Sequence, residues 1–280
     1  MAQRSPGAGN DRRTQTREPS ERWQTALTAI EPNKILVRGY PLDEMMGRLS
    51  FAEAVYLLLM GELPTPAIGR MLNAVLVSSI DHGVTPPSTL AARNTATTGA
   101  PLRACVAAGV LGFGRFHGGD IESCMQFLDA GLELVRGGRS YHDAAQEIVT
   151  RWDRQGEPLP GFGHRFHTRD PRAARLFQMA LEMEIEAEHI QMIRAVELVL
   201  SEHPEGPRPP VNIDGAIAAV CGDIGIPPES ANALFIISRV PGIAAHAQEE
   251  RQRERPMRQI DPSDHVYDGP SERRLPQKRR

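Results

Sequence analysis

The chain has 280 residues, 40% hydrophobic and 24% charged, enough for one large domain or a main domain with a smaller partner. No apolar run approaches the ~20 residues of a membrane-spanning helix, since VYLLLM at 55–60 is followed by Gly61 and Glu62. The net charge of −3 combines a +2 segment at 1–20, a +4 segment at 269–280 and a central −9, so the globular part repels nucleic acid.

The first residues, MAQRSPGAGNDRRTQTREPSER, lack the apolar core of a secretory signal. Asp11, Glu18 and Glu21 argue against an organelle transit peptide. Cys105, Cys124 and Cys221 form no CxxC pair, which argues against a disulfide framework and a structural zinc site. A soluble, cytoplasmic protein is expected. Lys34–Arg38 (KILVR) gives the one strand signal. Ser50 and Glu53 form a capping box before a helix at 51–60, which Gly61 closes. Pro66 opens the next, with Ile68, Met71, Leu72, Val75, Leu76 and Ser79 at helical spacing. Residues 101–113 are rich in Ala and Gly, and this helix is expected to be central and buried. Helices follow at 121–135, at 172–188 behind an Asp170-Pro171 cap, at 189–200, at 215–221 and at 232–253. Loops are expected at 83–100, 156–170 and 202–214. The fold class is all-α.

The chemistry should lie on those loops, held by the helical scaffold. Asp81-His82-Gly83 ends one helix, and Phe116-His117-Gly118-Gly119-Asp120 joins two others. Pro160-Gly161-Phe162-Gly163-His164 precedes Arg169-Asp170-Pro171-Arg172. Val211-Asn212-Ile213-Asp214-Gly215 and Ser238-Arg239, with Gly242 and His246, complete the set, followed by Glu254-Arg255-Pro256. Each also has a plain structural reading. A histidine beside glycines is ordinarily a turn residue, Asp214 could be a helix N-cap, and Arg172 and Arg239 could be surface arginines. Three His-Gly or Gly-His turns plus an Asp-Gly turn on one helical scaffold point beyond that reading. No HxxxH spacing supports a metal site.

In this order the motifs resemble the citrate synthase superfamily. The similarity runs from RGYPLDE (38–44) and FAEAVYLLLMGELPT (51–65) through DHG, HGG, GFGH with DPR, VNIDG and SRVPGIAAHAQEE to Tyr267 and Gly269-Pro270, spanning about 24–270. Citrate synthases of ordinary size carry a long helical insert between the ELPT and DHG segments. Here a single helix joins Thr65 to Asp81. That compact form is similar to stand-alone citryl-CoA lyase and to the lyase module of ATP-citrate lyase. The retained His117 points mildly toward the synthases.

The resemblance implies a helical fold with a large domain (24–117 and 226–268) and a smaller mobile domain (118–225), between disordered ends at 1–23 and 269–280. It implies three catalytic residues. Asp214 exchanges the acetyl-CoA methyl proton, His117 donates to the thioester oxygen, and His164 serves the hydroxyl or keto oxygen of the oxaloacetate portion. His82, Arg172, Arg239 and Arg255 would bind substrate carboxylates, with Arg255 supplied by a neighbouring subunit. Gly161, Phe162 and Gly163 would lie against coenzyme A. The partners are therefore an acyl-CoA and oxaloacetate or citrate, in a homodimer or higher homo-oligomer with shared sites, without nucleic acid or membrane. No permanently bound cofactor is expected: a coenzyme A thioester is a substrate, and neither GxGxxG nor GxxxxGK occurs. Cleavage of citryl-CoA is favoured. The alternatives are a citrate or 2-methylcitrate synthase that hydrolyses the thioester, and a non-catalytic binding relative.

Overall fold

The computed structural model describes residues 23–114, 117–118, 120–156, 158–163, 169–185, 188–203, 209–259 and 261–275. His164, residues 1–22 of the predicted N-terminal end and residues 276–280 of the predicted C-terminal end lie outside them. The chain divides into two compact units, one up to Leu49 and one from Ser50 onward. In the first, β1 (Thr28–Glu31), β2 (Lys34–Val37) and β3 (Tyr40–Pro41) form an antiparallel sheet in the order β1-β2-β3, followed by the one-turn α1 (Leu42–Met45). The predicted KILVR strand is therefore the centre of a small meander.

The second unit is helical. Its elements are α2 (Phe51–Met60), α3 (Pro66–Ser78), α4 (Pro87–Ala96), α5 (Leu102–Leu111), α6 (Asp120–Arg136) and α7 (Tyr141–Asp153), then α8 (Pro171–Glu182), α9 (Glu188–Ser201), α10 (Ile213–Asp223) and α11 (Pro228–Arg253). The fold is all-α, with one small sheet. Several boundaries follow from local chemistry. Ser50 and Glu53 exchange both capping-box hydrogen bonds, and Gly61 ends α2. The Thr65 hydroxyl accepts from Ile68 N–H ahead of Pro66. Asp170 caps α8 by accepting from Arg172 N–H.

Three expectations need correcting. The segment 83–100 is not all loop, because it contains α4, whose buried face is made of Ser88, Thr89, Ala92 and Ala96. The predicted 172–188 helix stops at Glu182, with Glu184 at φ 54°, and a new helix starts at Glu188. The Ala/Gly helix α5 is not central: only Cys105 and Gly109 are buried, and Leu111 is 84% exposed. Small side chains let α5 lie close on α4 and α11 along one face while the other stays uncovered. Gly109 shows that closeness, since a Cβ there would sit 2.5 Å from Ile243 and 3.0 Å from the Ser88 carbonyl oxygen.

Two apolar clusters hold this unit together. The larger draws on α2, α3 and α6–α10 and on the first half of α11 through Ala231, Leu234 and Phe235. The smaller joins Ala92, Ala96 and Cys105 to Ile243 and Ala247 in the second half of α11. Phe113 packs against both. α11 thus crosses from one core to the other, with Pro241 inside it, and the polar motifs converge near that crossing.

Candidate active site

His82, His117, Arg172, Asp214 and Arg239 line a single cavity of about 160 Å³, together with Gly118, Asp120, Asn212, Ile213 and Phe235. Five residues named from scattered motifs are thereby brought together. Arg255 is not among the lining residues; it is exposed, just past the end of α11. A larger groove of about 510 Å³ between α7 and α9 holds His142, Asp153 and His203 but none of the predicted site residues. Size alone does not pick out the candidate site; the convergence of polar groups does.

Asp214 is not a helix cap. Asn212 takes that role, its side-chain oxygen accepting from Gly215 N–H at 3.0 Å, which leaves the Asp214 carboxyl to the cavity. Burial pushes Asp214 up to about 6, with the negative Asp120 adding to the rise. Arg172 and Arg239 pull it back only in part. Asp120, in the first turn of α6, is itself raised by burial.

Asn212 does a second job that the sequence reading left unassigned. Its N–H donates to the Gly161 carbonyl at 3.0 Å and its side-chain amide to the Gly163 carbonyl at 2.8 Å. Gly163 N–H in turn donates to the Pro210 carbonyl at 2.9 Å. The 161–163 loop is thus fastened to the start of α10. The two backbones meet at Gly161 and Gly215: a Cβ on Gly215 would lie 2.3 Å from the Gly161 oxygen. Gly161 also takes φ 81°, so both glycines are required by geometry.

His117 sits in the turn between α5 and α6, bridged to Gly114. Its Nε2 lies 2.8 Å from the Ser88 hydroxyl, and its ring stacks on Phe113 with centroids 5.0 Å apart. Ser88, buried in the first turn of α4, is a second supporting residue to which the sequence reading assigned no role. Across the cavity, both Asp170 oxygens hold the Arg172 guanidinium, at 3.0 and 2.8 Å. Arg239 is 3% exposed, far from a surface arginine. Its Nε donates to the Ser79 carbonyl at 2.7 Å and its guanidinium stands 4.8 Å over the Phe235 ring. Burial lowers Arg239, an effect that Asp81 and Asp214 oppose. Beside His82, Asp81 accepts from Gly83 N–H and lies 3.0 Å from His246 Nε2. Burial would raise its carboxyl, but these two contacts hold it below the ordinary carboxylate range.

Two fixed guanidiniums, two histidines and a carboxylate poised near neutrality thus surround one small space. This set can bind a polyanionic substrate and move a proton. The citrate synthase C-terminal domain family matches residues 64–260 of the chain. The chain belongs to the citrate synthase family. Among solved structures of related proteins, citryl-CoA lyase from Hydrogenobacter thermophilus is 41% identical, with a TM-score of 0.82 over 91% of this chain and 98% of that one. ATP citrate lyase from Methanothrix soehngenii, in complex with citrate and coenzyme A, shares the fold at 20% identity, with a TM-score of 0.79 over 91% of this chain and 43% of that one. Citrate synthase from Deinococcus radiodurans is 28% identical over 72% of this chain and 52% of its own length. The chain spans about half the length of the curated citrate synthase family relatives it matches.

Proposed function

We propose that this member of the citrate synthase family cleaves citryl-CoA to acetyl-CoA and oxaloacetate. The observation that carries the reading is the similarity to the Hydrogenobacter thermophilus lyase, which runs nearly end to end in both chains at 41% identity. The direct passage from Thr65 through one helix to Asp81 supports it.

In this reading Arg172 and Arg239 clamp carboxylates of the oxaloacetate portion, with His82 beside them. Arg172 arrives already oriented by Asp170, so little ordering is left to binding. His164, the residue after Gly163 in the sequence, takes the proton of the tertiary hydroxyl. The carbon–carbon electron pair moves into the acetyl-CoA fragment, whose thioester oxygen becomes an enolate held by His117. Asp214 then donates a proton to the terminal carbon. The same residues run in reverse would condense acetyl-CoA with oxaloacetate. Coenzyme A lies along Gly161, Phe162 and Gly163, whose attachment to α10 links thioester position to Asp214. Residues 118–225 act as the small domain that closes over substrate.

The acting form is a homodimer or larger assembly, in which a second copy covers α5 and supplies Arg255. The uncovered face of α5, with Ala107 and Leu111 outward, supports this assignment. A second reading, condensation followed by thioester hydrolysis, is favoured by the similarity to Deinococcus radiodurans citrate synthase.

The deciding experiment measures free-thiol release from acetyl-CoA plus oxaloacetate, with propionyl-CoA in parallel, and oxaloacetate release from citryl-CoA. Oxaloacetate without thiol is expected. Steady thiol release would make the protein a hydrolysing synthase. Silence in all assays would overturn both enzymatic readings.

A further inference from the structure

The HGG turn leads into an aspartate that neither the proton transfer nor the carboxylate clamp uses. Asp120 opens α6 and lines the same 160 Å³ cavity as Asp214. Its position is fixed from both sides. Two residues on, Glu122 N–H donates to the Asn232 side-chain oxygen at 3.3 Å, and the Asn232 amide donates back to Glu122 at 3.0 Å, tying the first turn of α6 to α11. One helical turn after Asp120, Cys124 meets the 161–163 loop: a Cβ on Gly161 would lie 2.5 Å from its Sγ and 2.7 Å from the Gly215 Cα. Asp120 and Asp214 thus flank one tight contact of α6, the loop and α10. A carboxylate here is out of place for anion binding alone, because it repels the carboxylates that Arg172 and Arg239 attract.

We propose that Asp120 is a positioning residue for the proton of Asp214: its like charge on the same small cavity keeps Asp214 able to hold the proton that the departing enolate needs. The inference rests on the cleavage reading. The hydroxyl proton leaves to base, the oxygen forms the ketone of oxaloacetate, and the carbon–carbon pair becomes the enolate. That enolate forms a C–H bond as the Asp214 O–H bond breaks, leaving Asp214 ionised. Condensation needs the opposite state, so Asp120 biases the site toward cleavage. Other charged or titratable groups around Asp214 are His82, His117 and Cys124, Asp170 and Arg172 on the α8 side, Arg239 on α11, and Glu197 on α9, which accepts from Val211 N–H at 3.1 Å. The arginines pull the proton off. Asp120 and Asp170 oppose them, and Asp170 is already committed to Arg172.

The test titrates protein labelled with aspartate ¹³C at the carboxyl, taking as Asp214 the resonance lost in Asp214→Asn. In Asp120→Asn, and in Asp120→Ser should Asn unsettle the first turn, Asp214 should titrate roughly one unit lower. Asp120→Glu should restore it. Wild type should show two coupled steps where the variants show one. With citryl-CoA, the high-pH limb of kcat should move down with the titration, lowering kcat up to about tenfold at pH 7.5 while KM stays or falls. A merely structural role would raise KM and leave the titration in place. An unchanged Asp214 titration in the charge-removing variants overturns the proposal whatever the activity. A shifted titration in a protein that cleaves no citryl-CoA upholds Asp120's hold on Asp214 and sinks only the cleavage reading.

Discussion

Asp214→Asn should inactivate the protein and at the same time stabilise it. A carboxyl raised from 3.8 to about 6 binds its proton more tightly in the folded chain than in the unfolded one. Between those values the folded state holds more protons, so stability falls as pH rises through the window and the full penalty stands above it. About two units at ~1.36 kcal/mol each cap the penalty near 3 kcal/mol, and the opening of the cavity to solvent brings it to about 1–3 kcal/mol. Asparagine has the same shape and no charge to desolvate. At roughly 2–4 °C per kcal/mol for a chain of this size, Asp214→Asn should melt up to about 10 °C higher at pH 7.5 and near wild type at pH 4. Turnover should fall at least ~10³-fold while protection by substrate survives. Thermal scans from pH 4 to 8 test the argument. A Tm difference that is flat with pH, or a variant less stable than wild type at pH 7.5, would refute it.

Three further outcomes follow from other contacts. His189 is bracketed by Asp223 at 2.9 Å and Asp129 at 3.1 Å; burial disfavours its charge, but the two carboxylates outweigh that and raise it. Its contribution is present below its unfolded value and lost as pH rises through the folded one, so urea titration should show His189→Gln costing about 1 kcal/mol more at pH 5.5 than at pH 9. Gly215→Ala drives a methyl into the Gly161 carbonyl; a loss of about 1–3 kcal/mol by denaturation is expected, with a weakened response to coenzyme A. Leu111→Glu, on the uncovered face of α5, should leave the helical signal intact and shift light scattering toward a monomer.

How far each element could be read depended on what its residues bury. The capping box at Ser50, the Pro66 start and the Asp170-Pro171 cap are local devices, and all three stand where the residue types put them. α4 escaped notice because its buried face is Ser88, Thr89, Ala92 and Ala96, which carry no apolar periodicity. α7 was passed over, although Ala144, Ala145, Ile148 and Val149 fall at helical spacing and the Ser140 hydroxyl caps it. α5 misled because small apolar residues suit any close packing, whether within one chain or between copies. In the site, the charged residues were named by their motifs, but the residues that orient them were not. Asn212 and Ser88 matter through partners 49 and 29 positions away, a separation only the fold closes.

α11 is one continuous rod embedded at its two ends in different apolar clusters, with Arg239 at the crossing. Loosening either cluster strips support from the same helix, so neither can melt while leaving the arginine clamp in place. The binding cavity and the scaffold should therefore lose order together, in a single heat-absorption peak and with no long-lived form that is folded but unable to bind. Pro241 removes one rung of the helix ladder near that crossing. It marks where amide hydrogen exchange within the interior of α11 should be fastest.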